Sequence, residues 1–177
     1  MGLKIPYHHQ KNCYFCGPTS LKMVLERLGV KRTEDKIAGL AGTNEEVGTT
    51  HHGMIDACKR LGFSCFVHEK SSLRNVMSFL KIGLPVIVNW TDYKSDTGHY
   101  SVVSEVRKGN IIFCDPWYGP GYAVQRDTFE EYWNDSLRKG YHWIMVVLPR
   151  NANISQEIKI GVNKRDILIM SGRIYRA

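Results

Sequence analysis

One helix restricts the fold of this chain more than any other feature, because it carries a cysteine at its mouth and an apolar stripe behind it. Gly17-Pro18 follows Cys16. Proline is accepted in a first helical turn, where its missing N–H has no intrahelical partner in any case. Leu21, Val24, Leu25 and Leu28 then recur at i, i+3, i+4 and i+7, a stripe able to anchor the helix in a core. Gly29 stands where helices commonly stop, in the left-handed conformation that glycine tolerates. The pattern predicts a helix running from Cys16 to just before Gly29, held from behind, with a thiol at its N-terminal tip.

The same reading predicts helices over residues 34–40 and 53–61, the second capped by Thr49 or Thr50, then a strand over 63–67. Ser71 or Ser72 caps a further helix through Leu73, Val76, Met77 and Leu80. From there the rhythm turns to strands, over 84–88, 100–106, 110–114 and 141–148, with a short helix over 128–133. Lys108-Gly109 is a hairpin signal between the second and third of these. Residues 3–7 read as a short strand or extended arm, kept at an edge by Pro6. Helices first and strands later is the α+β order. Residues 1–149 are expected to form one domain and residues 150–177 an extension of uncertain structure, with a late strand open to residues 166–170.

A chain of 177 residues suits a single core that needs no disulfide or metal to hold it. The net charge of +7 is scattered rather than gathered. With no basic patch interleaved with aromatics and no helix-turn-helix pattern, nucleic acid is not an expected partner. Five cysteines cannot all be paired, no signal-like opening is present, and no apolar run reaches spanning length. A reduced, cytoplasmic protein is expected. The glycosylation triplets at Asn89, Asn134 and Asn153 are then chance matches.

The chemistry gathers around Cys16. A thiol attacks as thiolate, and both a helix N-terminus and a neighbouring imidazolium favour that form. His99 sits in Gly98-His99-Tyr100-Ser101-Val102-Val103, at the start of a predicted strand, and Asp115 in Cys114-Asp115-Pro116 follows at the end of the next. If Lys108-Gly109 turns the chain back on itself, His99 and Asp115 meet at the open end of one hairpin. A carboxylate there can hold one ring nitrogen and leave the other for the thiol. The order Cys, His, carboxylate, with Cys on an early helix, is that of the papain arrangement.

Three segments carry a family resemblance. Gln10-Lys11-Asn12-Cys13-Tyr14-Phe15-Cys16-Gly17-Pro18, with the helix behind it, resembles the active-site segment of the bacteriocin-processing peptidases of family C39, in which a Gln precedes the catalytic Cys by six residues. The His99 and Asp115 segments resemble the other two motifs of that family, and residues 53–88 match it in outline only. The resemblance spans about residues 3–149. It implies a papain-like cysteine protease fold, with an N-terminal helical part whose catalytic helix packs on a C-terminal antiparallel sheet. It also implies Cys16 as nucleophile, His99 as base, Asp115 as the residue orienting the base, and Gln10 in the oxyanion hole. A peptide or protein substrate cut after Gly residues follows from it, with no cofactor and no metal. Leader-cutting members are usually fused to an ABC transporter, whereas this sequence carries neither membrane segments nor a nucleotide-binding domain.

Other readings stand beside this one. Cys13 and Cys16 form a C-x-x-C, but the βαβ context of a redox site is missing and a zinc site lacks two further ligands; a reversible disulfide between the two remains open. Taken alone, Cys16 is a buried thiol, His99 a core histidine, Asp115 a turn former and Gln10 a loop residue. His51-His52 read as a polar loop ahead of a helix, Cys114 as core, and Trp90, Trp117 and Tyr118 equally as groove or core. Three functions are carried forward: peptide hydrolysis, acyl transfer or isopeptide cleavage by the same chemistry, and leader or partner binding without cleavage.

Overall fold

The stripe on the first helix finds its core. In the computed structural model, which describes residues 2–134, 141–149 and 173–177, α1 (Cys16–Arg27) buries Leu21, Val24 and Leu25 completely. It stops as the glycine signal requires: Gly29, at φ +83°, donates to the Glu26 carbonyl while Val30 donates to that of Leu25, the paired bonds of a Schellman motif. Two more helices follow, α2 (Glu34–Ala41) capped by Thr33 and α3 (His51–Arg60) capped by Thr50. Then come β1 (Cys65–His68), α4 (Leu73–Lys81), β2 (Val86–Asp92), β3 (Thr97–Arg107) and β4 (Asn110–Asp115). The chain continues through β5 (Gly119–Gln125), α5 (Arg126–Tyr132), β6 (Ile144–Val147) and β7 (Arg173–Tyr175).

Among the described residues seven antiparallel strands make one sheet in the order β5-β4-β3-β2-β6-β1-β7. Alternation along the strands feeds two cores. Ile87, Val102, Met145 and Val147 pack toward α1, α2 and α3, while Val86, Val88, Val103 and Val146 pack toward α4 and α5. The expected α+β, papain-like arrangement of a helical part against an antiparallel sheet is what forms, with α4 and α5 covering the second face. Among the described residues no helix is long and apolar enough to cross a membrane.

Two predicted strands start two residues late for one physical reason. Phe63 donates to the Cys58 carbonyl and Leu84 to that of Phe79, behind Gly62 and Gly83 at positive φ. Both apolar residues are therefore taken up in Schellman closures of the preceding helices. β5 begins in Gly119-Pro120-Gly121, which reads locally as a turn. His51 and His52 are not a polar loop: they open α3, and the His51 ring stacks on Trp143 at 4.3 Å. Residues 166–170, the candidate late strand, and the triplet at Asn153 lie outside the described residues.

The α2–α3 crossing leaves no room for a side chain at Gly53, where a Cβ would lie 2.1 Å from the Ala41 carbonyl oxygen. Gly53→Ala is therefore expected to push the helices apart and to cost about 3 kcal/mol, at the upper end of ordinary overpacking. A lowered urea midpoint at unchanged slope reads this out.

Candidate active site

Cys16 is the first residue of α1, and no side chain caps that end: Phe15, at the cap position, offers only its carbonyl, to the Thr19 N–H. The partial positive charge of the helix terminus is thus directed at whatever lies beside the thiol. The loop leading in is tied from within. Phe15 donates to the Asn12 carbonyl, Tyr14 to the Asn12 side chain, and the Gln10 side-chain amide to the Asn12 carbonyl at 2.6 Å. The Gln10 backbone N–H donates to the Pro116 carbonyl at 2.9 Å, which places Gln10 beside the Asp115 segment. Gln10 is buried rather than an exposed loop residue.

His99 and Asp115 do meet at the open end of the β3–β4 hairpin, turned by Lys108 and Gly109 at φ +49° and +78°. Meeting at one end is not enough, because partners across strands share a face and a slip of one residue reverses it. From Arg107↔Asn110 to Glu105↔Ile112 the register runs straight; continued, it would set Asp115 opposite Val102, on the face toward α1. A β-bulge at Ser104 shifts the pairing to Val103↔Phe113 and Val102↔Cys114. Asp115 thereby comes level with Ser101, on the face it shares with His99. The N-terminal arm is bound at the bulge, with Leu3 N–H donating to the Ser104 carbonyl at 3.0 Å.

The His99 Nε2 lies 3.1 and 3.2 Å from the two oxygens of Asp115, and the Cys16 thiol acts on the charge of the same ring. With Nε2 held by the carboxylate, Nδ1 is the nitrogen left for sulfur. Burial works against a charged ring here, yet the bonds to Asp115 and Cys16 outweigh it and push the His99 pKa up to about 10. Burial likewise opposes ionisation of Asp115, and its bonds to His99, Ser101 and Tyr118 outweigh that, holding the carboxyl below its ordinary value. Asp115 is fully buried and also accepts from the Trp117 and Tyr118 N–H groups at 2.8 Å. Turn former and partner of His99 are thus one carboxylate in both roles.

A groove of about 560 Å³ opens on Cys16, with Cys13, Glu46, Gly48, Gly98 and Tyr100 among its lining. Trp90 takes no part in it: fully buried, it stacks on Phe113 at 5.6 Å. Trp117 is exposed, its ring against His9, and Tyr118 stands edge-on to His99. Cys114 is core, with burial and then the Asp115 charge pushing its thiol up to about 11. Among the described residues no cluster of three His, Cys, Asp or Glu side chains is placed to hold a metal ion. Sequence reasoning missed Ser101, whose hydroxyl reaches Asp115 at 2.6 Å. Its one signal was a polar residue two positions from His99 in an apolar strand.

A model of the peptidase C39 family matches residues 4–137. An uncharacterized protein of Methanothermobacter marburgensis is 38% identical over 125 residues, 69% of this chain and 78% of its own length. One of Methanothermobacter thermautotrophicus is 37% identical over 123 residues, 68% and 77% of the two chains. Among solved structures, the peptidase domain of Streptococcus ComA, a bi-functional ABC transporter involved in quorum sensing, superposes with a TM-score of 0.65 at 24% identity, over 83% of this chain and 98% of that one. A putative C39-like peptidase from Bacillus anthracis gives 0.66 at 17% identity, over 86% and 100%. A double glycine motif protease from an AMS/PCAT transporter, in complex with its leader peptide, gives 0.62 at 18%, over 84% and 94%. At these identities the likeness to solved structures is one of fold.

Proposed function

The chain belongs to the peptidase C39 family, and from that premise we propose that it is a cysteine peptidase in which Cys16, His99 and Asp115 act as a triad and Gln10 completes the oxyanion hole. The observation that carries this reading is a buried imidazole bonded to a buried carboxylate, with the thiol that acts on its charge standing at an uncapped helix N-terminus in the wall of a groove.

The thiolate of Cys16 attacks the scissile carbonyl carbon, forming the C–S bond, and the carbonyl electrons move onto oxygen. The Cys16 backbone N–H and the Gln10 side-chain N–H not engaged by Asn12 are the donors for that oxyanion. His99, already carrying a proton at neutral pH, gives it to the amine as the C–N bond breaks. The neutral ring then takes a proton from water, the hydroxide attacks the acyl-enzyme, and the thiolate leaves. Asp115 holds the ring so that Nδ1 faces sulfur throughout. The substrate class is a peptide, with Gly favoured before the cut bond. The structural neighbour described as a double glycine motif protease in complex with a leader peptide supports this substrate class.

The test is a panel of peptides with and without Gly-Gly, incubated with the protein and read by mass spectrometry. Cleavage after Gly supports the reading; no cleavage, with binding undisturbed by Cys16→Ala, favours a binding module. Amine-trapped products in place of acids identify an acyl transferase. Gly98 gives an independent check of the groove, since a Cβ added there meets nothing within 4 Å. Gly98→Leu is expected to leave the melting temperature unchanged and to lower kcat/KM by about 10²-fold, as displaced substrates do.

A further inference from the structure

Behind the proposed triad, polar groups continue into the core in a way the mechanism above does not use. Ser101 is fully buried, and its hydroxyl donates to Asp115 Oδ2 at 2.6 Å. The Ser101 oxygen itself accepts from the Trp90 indole N–H at 2.8 Å. An indole N–H can only donate, so it occupies the acceptor side of the Ser101 oxygen. The single hydroxyl proton is thereby directed at Asp115, and the bond is complete when Asp115 is an ionised acceptor. Trp90 is itself immobile, fully buried and stacked on Phe113 with ring planes 1° from parallel.

Among the described residues the donors to Asp115 divide into two sets. The Trp117 and Tyr118 N–H groups belong to the turn that Asp115 opens, and they move with it. Ser101 and His99 belong to β3. Ser101 therefore ties the carboxylate to the strand that carries the histidine, independently of His99 itself. We propose that Ser101, oriented by Trp90, is a positioning residue that locks the Asp115 carboxylate against His99 and so sets the placement of the imidazole over Cys16. The proposal deepens the triad reading and rests on it.

Asp115 is faced by His99 from β3 and Tyr7 from the N-terminal arm, with Cys114 and Tyr118 beside it in its own segment. Tyr7, Tyr118 and Cys114 are all raised from already alkaline values, first by burial. On the Cys16 side, Glu45, Glu46 and His51 line the same groove, so the Ser101 effect is read as the difference between variant and wild type at each pH. Two readouts separate the proposal from its premise: iodoacetamide alkylation of Cys16 between pH 4 and pH 9, followed by mass spectrometry, reads the thiol–imidazole pair, and NMR titration of the His99 ring reads the hold of Asp115 whether or not the thiol is reactive.

In Ser101→Ala, alkylation at mildly acidic pH is expected to fall roughly tenfold, as for loss of a bond to a charged group. The acid limb should move to higher pH and the His99 ring should titrate lower. Ser101→Thr, which keeps the hydroxyl, restores both. Trp90→Phe, which keeps an aromatic ring and removes the donor, shifts both in the same direction by less. Wild-type ring titration and alkylation in a folded Ser101→Ala overturn the proposal. So does an equal loss in a folded Ser101→Thr, which would make the role one of packing. Should Ser101→Ala fail to fold, Trp90→Phe decides: unchanged titration and alkylation overturn the proposal. A wild-type Cys16 that labels no faster than an ordinary thiol overturns the triad reading instead, while the ring titration still reports whether Ser101 positions Asp115.

Discussion

Cys16→Ala is expected to reduce peptide turnover by a factor on the order of 10⁴ or more, as removal of a nucleophile does in a covalent mechanism, with little change in stability. Both halves follow from the position of the residue. Cys16 is only 6% exposed, yet its packing rests on the stripe behind it rather than on the sulfur. Alanine is the best helix former and fits a first turn, and the loss of one buried sulfur should cost about 1 kcal/mol. Turnover has no such substitute. A methyl group cannot form an acyl-enzyme, and the oxyanion donors alone leave only weak catalysis. Activity on a Gly-containing peptide and the urea midpoint, measured on one preparation, read both halves. Turnover retained by a folded Cys16→Ala would refute the covalent mechanism.

The legibility of this chain divides along the line between local and non-local physics. Gly17-Pro18 and Asp115-Pro116 are read correctly because each marks a backbone event within two residues of a chemical side chain, whereas Gly98 and His99 lie within β3 rather than ahead of the strand. The hairpin brought His99 and Asp115 to one end on turn chemistry alone. Their common face depends on the bulge at Ser104, whose carbonyl is met by an arm a hundred positions away in sequence. No local pattern announces that. Phe63 and Leu84 look like strand residues because they are apolar and follow a glycine, but the same description fits the closing residue of a Schellman motif. Trp90 stood evenly between groove and core until Phe113, from another strand, decided it. Ser101 went unnoticed for the same reason: serine in a strand gains meaning only when a carboxylate and an indole arrive from two other strands.

Replacing His99 by alanine should produce the second large effect, and its dependence on pH distinguishes an imidazole that activates sulfur from one that merely packs beside it. The ring is charged through the neutral range because its bonds to Asp115 and Cys16 outweigh burial and raise its pKa to about 10. Asp115, held below its ordinary value chiefly against the opposing effect of burial, stays ionised to support that charge. An imidazolium beside the sulfur favours thiolate at pH values where an isolated thiol is almost wholly protonated. Iodoacetamide should therefore label wild-type Cys16 quickly at mildly acidic pH, and His99→Ala should label about 10²-fold more slowly there. The sign of the pH trend follows. As pH rises, a thiol no longer needs a charged partner to ionise, while the wild-type ring loses its proton as pH passes about 10. The ratio of rates is thus greatest in acid and closes in alkali. Peptide turnover should be lost in the variant at every pH, since the proposed proton donor to the leaving amine is gone. A ratio that stays constant with pH would show that His99 acts by packing alone, and the proposed acid–base role would fall with it.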